Sequence, residues 1–183
     1  MASNQQSKHG VFLRVFDVGL LLIGKAGIGK SSLALELIER GHALVSDDNV
    51  QFAINPEYES SGESRVIGKS PYILKDLLAV RDLGVLNIAQ LFSKDRCVEE
   101  WPLDLIIELV DSQIQLATTL SGIQAHLSLL NHQFPLQQVH AHPKRNLALI
   151  IETAVKNYIL RKDKNDAATL LQKRQQKYIN KPL

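Results

Sequence analysis

The chain has 183 residues, 45% hydrophobic and 22% charged, with a formal net charge of +2. That length and mixture fit one globular domain with a sizeable core, and the weak charge supplies no basic field of the kind that draws nucleic acid. Cys97 is the single cysteine, which excludes an internal disulfide and suits a reducing compartment.

Met1 to Lys8 is polar, lacks the apolar region of a signal peptide, and reads as a flexible tail (1–8) ahead of one catalytic domain over 9–183. No apolar run approaches a membrane span, so the expectation is a cytoplasmic protein with neither membrane nor nucleic acid as partner. Val11 to Val18 and Gly19 to Ile23 suggest two strands meeting at a turn near Asp17-Val18-Gly19. A helix from Ser31 stops after Arg40 at Gly41, a residue suited to the left-handed cap, and His42 to Ser46 makes the next strand. Asn49 to Ile54 continues as strand, and Asn55 to Glu63 is a polar, mobile loop.

After Pro71, the apolar residues Ile73, Leu74, Leu77 and Leu78 recur at helical spacing, and Gly84 breaks the pattern before a short strand or turn at Val85 to Ile88. Leu103 to Val110 is the clearest later strand, with Asp104 and Glu108 on its solvent side, and Gln138 to His142 is another. Leu147 to Leu160 and Asp166 to Tyr178 are helical. The mixture predicts an α/β class with α+β elements: a strand-rich core with helices appended at the C-terminus.

The most informative stretch is Gly24-Lys25-Ala26-Gly27-Ile28-Gly29-Lys30-Ser31, which matches G-x-x-x-x-G-K-[ST] between the apolar run Gly19 to Ile23 and the helix. Its glycines let backbone N–H groups turn toward phosphate oxygens, the helix start adds partial positive charge, Lys30 reaches the β/γ-phosphates and the Ser31 hydroxyl ligates Mg²⁺. The residues from Gly24 through Ser32 are therefore the candidate nucleotide-phosphate site. Asp47 and Asp48 end the strand after that helix, where two carboxylates can divide metal binding and general-base work. Asp111, after a hydrophobic strand, competes as a Walker-B-type carboxylate. His140 and His142 share one side of a strand without a convincing third ligand, which favours solvated or capping roles. Lys144-Arg145-Asn146 precedes a helix and can meet phosphate or a protein carboxylate.

Taken together, these segments resemble the catalytic domain of HPr kinase/phosphorylase, which phosphorylates a seryl hydroxyl on the phosphocarrier HPr. The resemblance runs from His9-Gly10-Val11 through Gly24 to Ser31, Glu39 to Asp48, Ile67-Gly68, Pro71 to Ile88, Arg145 to Ala148, Ile150 to Glu152 and Asn157. Arg81 to Ile88 looks like the family's signature segment. The resemblance implies a P-loop kinase core similar to phosphoenolpyruvate carboxykinase, with ATP and Mg²⁺ as cofactors. It also implies that Lys30 and Ser31 bind phosphate and metal, that Asp47 activates the acceptor serine and joins Ser31 at the metal, that Asp48 supports the site, and that His9 lies beside these acids. An HPr-like carrier is the implied partner, with Arg81, Lys144 and Arg145 as candidate contacts. Family members commonly form hexamers, so a homo-oligomer is expected, in the shorter form without the additional N-terminal domain.

Three departures stand out. Ala79 replaces the acid usual two positions before Arg81, Asp82 replaces a usual glycine, and Asp111 to Gly122 lacks an obvious counterpart of the arginine used in phosphorolysis of phosphoserine-HPr. Kinase activity is therefore the firmer expectation. The alternative is a nucleotide-responsive regulatory module that binds such a partner with little catalysis. A GTPase switch is disfavoured, because Asn180-Lys181-Pro182-Leu183 fails as Asn-Lys-x-Asp at its fourth position.

Overall fold

The computed structural model describes residues 5–55, 65–111, 113–116, 122–123, 125–163 and 167–179. Val11–Val15 (β2) and Val18–Gly24 (β3) form an antiparallel hairpin. Its two-residue turn is Phe16-Asp17, both at positive φ as a type I′ hairpin requires, so the turn falls just before the Asp17-Val18-Gly19 position expected from sequence. The loop Lys25 to Gly29 leaves β3 and enters the helix Lys30–Glu39 (α1). Gly41 at φ +111° ends that helix, and Ala43–Ser46 (β4) follows.

Leu105–Asp111 (β10) pairs in parallel with β3 on one side and with His132–Ala141 (β12) on the other. Ala125–Leu129 (β11) and β4 complete a six-stranded sheet in the order β11-β12-β10-β3-β2-β4. The central strands are buried on both faces, which is why they read as unbroken apolar runs. Leu20 and Leu22 face one way, with Leu105, Ile107 and Leu109, against α1 and the helix Leu147–Lys162 (α3). Leu21, Phe12 and Ile106 face the other way, into a second core with Phe52 and Val66.

That second core lies against a four-stranded sheet made of Gln5–His9 (β1), Asn49–Asn55 (β5), Arg65–Lys69 (β6) and Glu100–Pro102 (β9). The rings of Phe12 and Phe52 meet edge-on between the sheets, 5.5 Å apart. The expected tail thus gives way to an antiparallel edge strand from Gln5 onward, paired with β5 from Gln5↔Ala53 to His9↔Asn49. Its side chains are mostly exposed, so no apolar alternation announces it. The strand expected from Asn49 is present, but it belongs to a different sheet from β4. Asp48 makes the switch at φ +65°.

The helix suggested by Ile73 to Leu78 does not form. A 3₁₀ turn at Tyr72–Leu74 leads into the hairpin Leu77–Val80 (β7) and Gly84–Asn87 (β8). Leu78 and Val80 are buried and Ala79 is exposed, a period of two, while Ile73 lies open to solvent. Asp104 is likewise not on a solvent face. It precedes β10, accepts the Gly19 N–H at 3.0 Å and pairs with Lys162 at 2.8 Å. Ile88–Leu91 (α2) follows the hairpin, and Ala167–Ile179 (α4) ends the described chain. Among the described residues no helix is long and apolar enough to cross a membrane. Most of the expected polar loop after Asn55 lies outside the described residues.

Candidate functional site

The parallel β3–β10 pair and the turn into α1 set the position of the glycine loop. Gly24 has φ +142°, and a Cβ there would lie 2.5 Å from the Leu109 carbonyl oxygen, so the loop departs where only glycine lets β3 lie this close to β10. Gly29 has open space around it but φ +101°, which an L side chain rarely adopts, and this bend aims the start of α1 into the cavity. No side chain caps α1. Its first-turn N–H groups and the positive end of its dipole are thus left to a ligand.

Lys30 begins α1 and is buried, its Nζ donating to the carbonyls of Gly24 at 2.9 Å and Lys25 at 3.2 Å. The loop's own carbonyls thus hold the ammonium beneath the place where an anion would sit. At the next residue, the Ser31 hydroxyl donates to Asp47 Oδ1 at 3.3 Å. The Ala79 N–H on β7 donates to Asp47 Oδ2 at 2.9 Å. Asp47 is only 5% exposed, and its desolvation pushes the carboxyl's pKa up, opposed by the Ala79 and Asp48 backbone N–H groups and by Ser31. Asp48 has the opposite surroundings: exposed, with its Oδ1 2.9 Å from Nδ1 of His9. The Asp48 carbonyl accepts the Gly10 N–H at 3.2 Å, which ties the end of β1 to the carboxylate pair.

These groups line one cavity of about 540 Å³, within the range of small-molecule sites. Of the residues expected there, His9, Ala26, Gly27, Gly29, Lys30, Ser31, Ser32, Asp47, Asp48 and Arg81 line it. Gly24 contributes its carbonyl to Lys30 from behind, and Ile28 packs against the apolar core. Lys25 turns away to pair with Asp111. Asp111 therefore stands at the end of the strand beside the loop, occupied by a loop cation rather than facing Asp47. Lys144 and Arg145 lie in the turn before α3 and are not among the lining residues. His140 Nε2 meets the Ile114 carbonyl, and His142 Nδ1 accepts the Lys144 N–H at 3.1 Å. The expected loop carboxylates and the candidate carrier contacts thus separate, with Arg81 alone of the latter at the cavity.

Sequence reasoning marked Ala79 for a missing acid and overlooked its N–H, a backbone group that no residue identity can advertise. The same holds for Leu77 and Val85, which wall the cavity from the β7–β8 hairpin. A second polar cluster was also overlooked. Glu152 on α3 accepts both Nε and Nη2 of Arg40, at 3.0 and 2.8 Å, and contacts His42 Nε2 at 3.1 Å. Arg40 hydrogen bonding holds the Glu152 pKa down to about 2, while burial lowers that of His42.

Two layers of sheet under helices, with a glycine loop, a buried lysine and a serine–aspartate pair lining one cavity at the start of α1, define a mixed α/β protein. The HPr Serine kinase C-terminal domain family matches residues 1–175, and the chain belongs to that family. It is 38% identical to HPr kinase/phosphorylase of Neisseria gonorrhoeae, across 96% of this chain and 56% of the relative, and 41% identical to that of Neisseria meningitidis serogroup A, across 84% and 47%. The chain thus spans about half the length of these curated relatives. The solved structure of the Hpr(Ser) kinase/phosphatase from Coxiella burnetii superimposes with a TM-score of 0.79 at 30% identity, covering 91% of this chain and 98% of that one.

Proposed function

We propose that this chain transfers the γ-phosphoryl group of ATP to a serine hydroxyl of an HPr-like phosphocarrier protein. The observation that carries the reading is the placement of the buried Asp47 carboxylate within hydrogen-bond reach of Ser31, beside Lys30 and the uncapped start of α1. Kinship with the family supports the acceptor class. The loop N–H groups and Lys30 hold the β- and γ-phosphates. The acceptor serine oxygen attacks the γ-phosphorus, its proton passes to Asp47, and the bond to the β-phosphate oxygen breaks to leave ADP. Asp48, oriented by His9, keeps a second negative charge at the mouth, and Arg81 adds a cation at the rim.

Two hard oxygen donors, Ser31 Oγ and the Asp47 carboxylate, face the cavity together, a donor set suited to Mg²⁺, which takes few protein ligands and fills its shell with phosphate oxygens and water. Among the described residues there is no cluster of three or more His, Cys, Asp or Glu side chains that would form a self-sufficient cage. Bound there with the nucleotide, the ion would neutralise charge on the phosphates as it shifts between them.

The core is read as a P-loop kinase of the phosphoenolpyruvate carboxykinase type, on the strand–loop–helix order and the family kinship. Phosphorolysis is proposed to be feeble relative to the forward step, because Arg81 is the only arginine lining the described cavity. Ala79, which offers Asp47 an N–H and no carboxylate, favours a second reading as a regulatory module that binds nucleotide and carrier with little catalysis. Incubation with ATP, Mg²⁺ and purified HPr-like carriers separates the two: phosphoserine on the carrier by mass spectrometry is expected. Binding of both ligands without phosphoserine would establish the module instead.

A further inference from the structure

The pattern G-x-x-x-x-G-K-[ST] leaves its second position open to any residue type, and in this chain that position is Lys25. Its backbone and its side chain have separate contacts. The Lys25 carbonyl is a junction: it accepts the Ile28 N–H at 3.3 Å and the Lys30 ammonium at 3.2 Å, so one peptide group both folds the loop and holds the buried cation. The side chain crosses to the neighbouring strand and pairs with Asp111.

Asp111 is the last residue of β10, two beyond Leu109, which lies opposite Gly24 in the parallel β3–β10 register. The backbone ladder between the two strands ends at Gly24, and the Lys25–Asp111 pair carries the connection one residue into the loop. Past Lys25, Ile28 packs on the apolar core, while Ala26, Gly27 and Gly29 offer no side chain that could hold the loop in place. Gly27 and Gly29 stand at φ +76° and +101°, and glycine loses more conformational freedom on being fixed than any other residue. A loop of this composition binds an anion better when its conformation is held beforehand, because less ordering remains to be done on binding.

We propose that Asp111 is a positioning residue for the glycine loop: by holding the Lys25 side chain it fixes the Lys25 carbonyl, and through that carbonyl the Lys30 ammonium, before the nucleotide arrives. The inference rests on the reading of the cavity as a nucleotide-phosphate site. Asp111 touches neither nucleotide nor metal in this arrangement and acts only through Lys25. The two side chains are 61% and 49% exposed, so the tether is a weak one and its effect on affinity is a few-fold.

The sign of that effect separates positioning from simple electrostatics. A carboxylate near a polyanion repels it, so by charge alone Asp111→Asn would bind nucleotide more tightly, whereas loss of the tether makes it bind less tightly. Calorimetric titration of the 183-residue chain with ATP and Mg²⁺, and with inorganic pyrophosphate alone, tests this. The dissociation constants of Asp111→Asn should rise about threefold to fivefold, and those of Lys25→Met by at least as much. The double variant should be no weaker than Lys25→Met, since both changes break one contact. Asp111→Glu keeps the charge and should recover most of the affinity, and all four variants should unfold in urea near the wild-type midpoint. Unchanged or tighter binding by Asp111→Asn overturns the proposal, as do single losses that add in the double variant or a failure of Asp111→Glu to recover affinity. A wild type that binds neither probe overturns the nucleotide reading and the positioning role with it, so the two failures are told apart by whether the parent chain binds.

Discussion

The two ends of α1 each hold a buried carboxylate, and the two are treated in opposite ways. At the C-terminal end Glu152 receives two hydrogen bonds from the Arg40 guanidinium and faces His42, and its pKa falls to about 2. At the N-terminal end Asp47 has only neutral donors, the Ala79 and Asp48 N–H groups and the Ser31 hydroxyl, and its desolvation raises its pKa. The first arrangement is complete within the chain. In the second, a negative charge is buried with no ion pair among the described residues, and the Lys30 ammonium, which lines the same cavity, is held by backbone carbonyls instead. The lesson is that an ion pair closed on itself fastens α1 to α3, whereas a carboxylate left short of compensation is ready for a proton or a metal ion.

The largest expected effects come from breaking the open end. Lys30→Ala removes the positive charge facing the transferred phosphate, and phosphoserine formation should fall by about 10²- to 10³-fold with the fold retained. A folded variant that transfers phosphate at the wild-type rate would remove the loop from the chemistry. For Asp47→Asn the amide keeps the shape but cannot take the serine proton, so single-turnover transfer at saturating ATP and carrier should drop by roughly 10²- to 10⁴-fold. Nucleotide affinity should change far less. Wild-type turnover in this variant would assign the base elsewhere.

The closed end should behave in the opposite sense. Glu152→Gln removes a charge-assisted pair and leaves Arg40 and His42 without their anion, so urea unfolding should show a loss of about 1 to 3 kcal/mol, with turnover of the remaining folded protein little changed. A variant as stable as the parent would show the cluster to be dispensable.

The smallest and most discriminating effect is the sign of the pH dependence. Glu152 has its folded pKa depressed from 4.5 to about 2, so its contribution is present above pH 4.5 and is lost as pH falls toward 2. His42, also depressed, adds stability that declines as pH falls below its ordinary 6.5. Asp47 is raised, so the folded state is favoured most when this group is protonated, and that contribution is lost as pH rises through its folded pKa. In chelator-treated protein Asp47→Asn should therefore raise the unfolding free energy at pH 7, by about 1 kcal/mol or less, and the gain should vanish in acid. A variant destabilised at pH 7 would mean that Asp47 is held by a charge the geometry does not show.

Much of the open end was legible in the chain. Gly24, Gly29, Lys30 and Ser31 are local, because one short loop carries its own conformational demands and its own chemistry. The central strands were legible for a related reason: burial on both faces leaves unbroken apolar runs such as Leu20 to Ile23. The β7–β8 hairpin was misread because Ile73, Leu74, Leu77 and Leu78 mimic helical spacing, and only the packing of Leu78 and Val80 against the core, with Ile73 left outside, selects the period of two. Edge strand β1 was missed because backbone pairing with β5 holds polar residues that have no apolar face to display.

The sequence by itself determined the glycine loop, the adjacent acids, the double-sided central strands and kinship with a kinase family. Tertiary structure alone decided that Asp47 is buried and Asp48 exposed, that Ala79 feeds a hydrogen bond to the former, and that Glu152 closes on Arg40 across 112 positions of chain. The physical reason is range. Glycine conformation and apolar runs are properties of neighbouring residues, whereas desolvation and ion pairing are set by whatever distant segments the fold brings within a few ångströms.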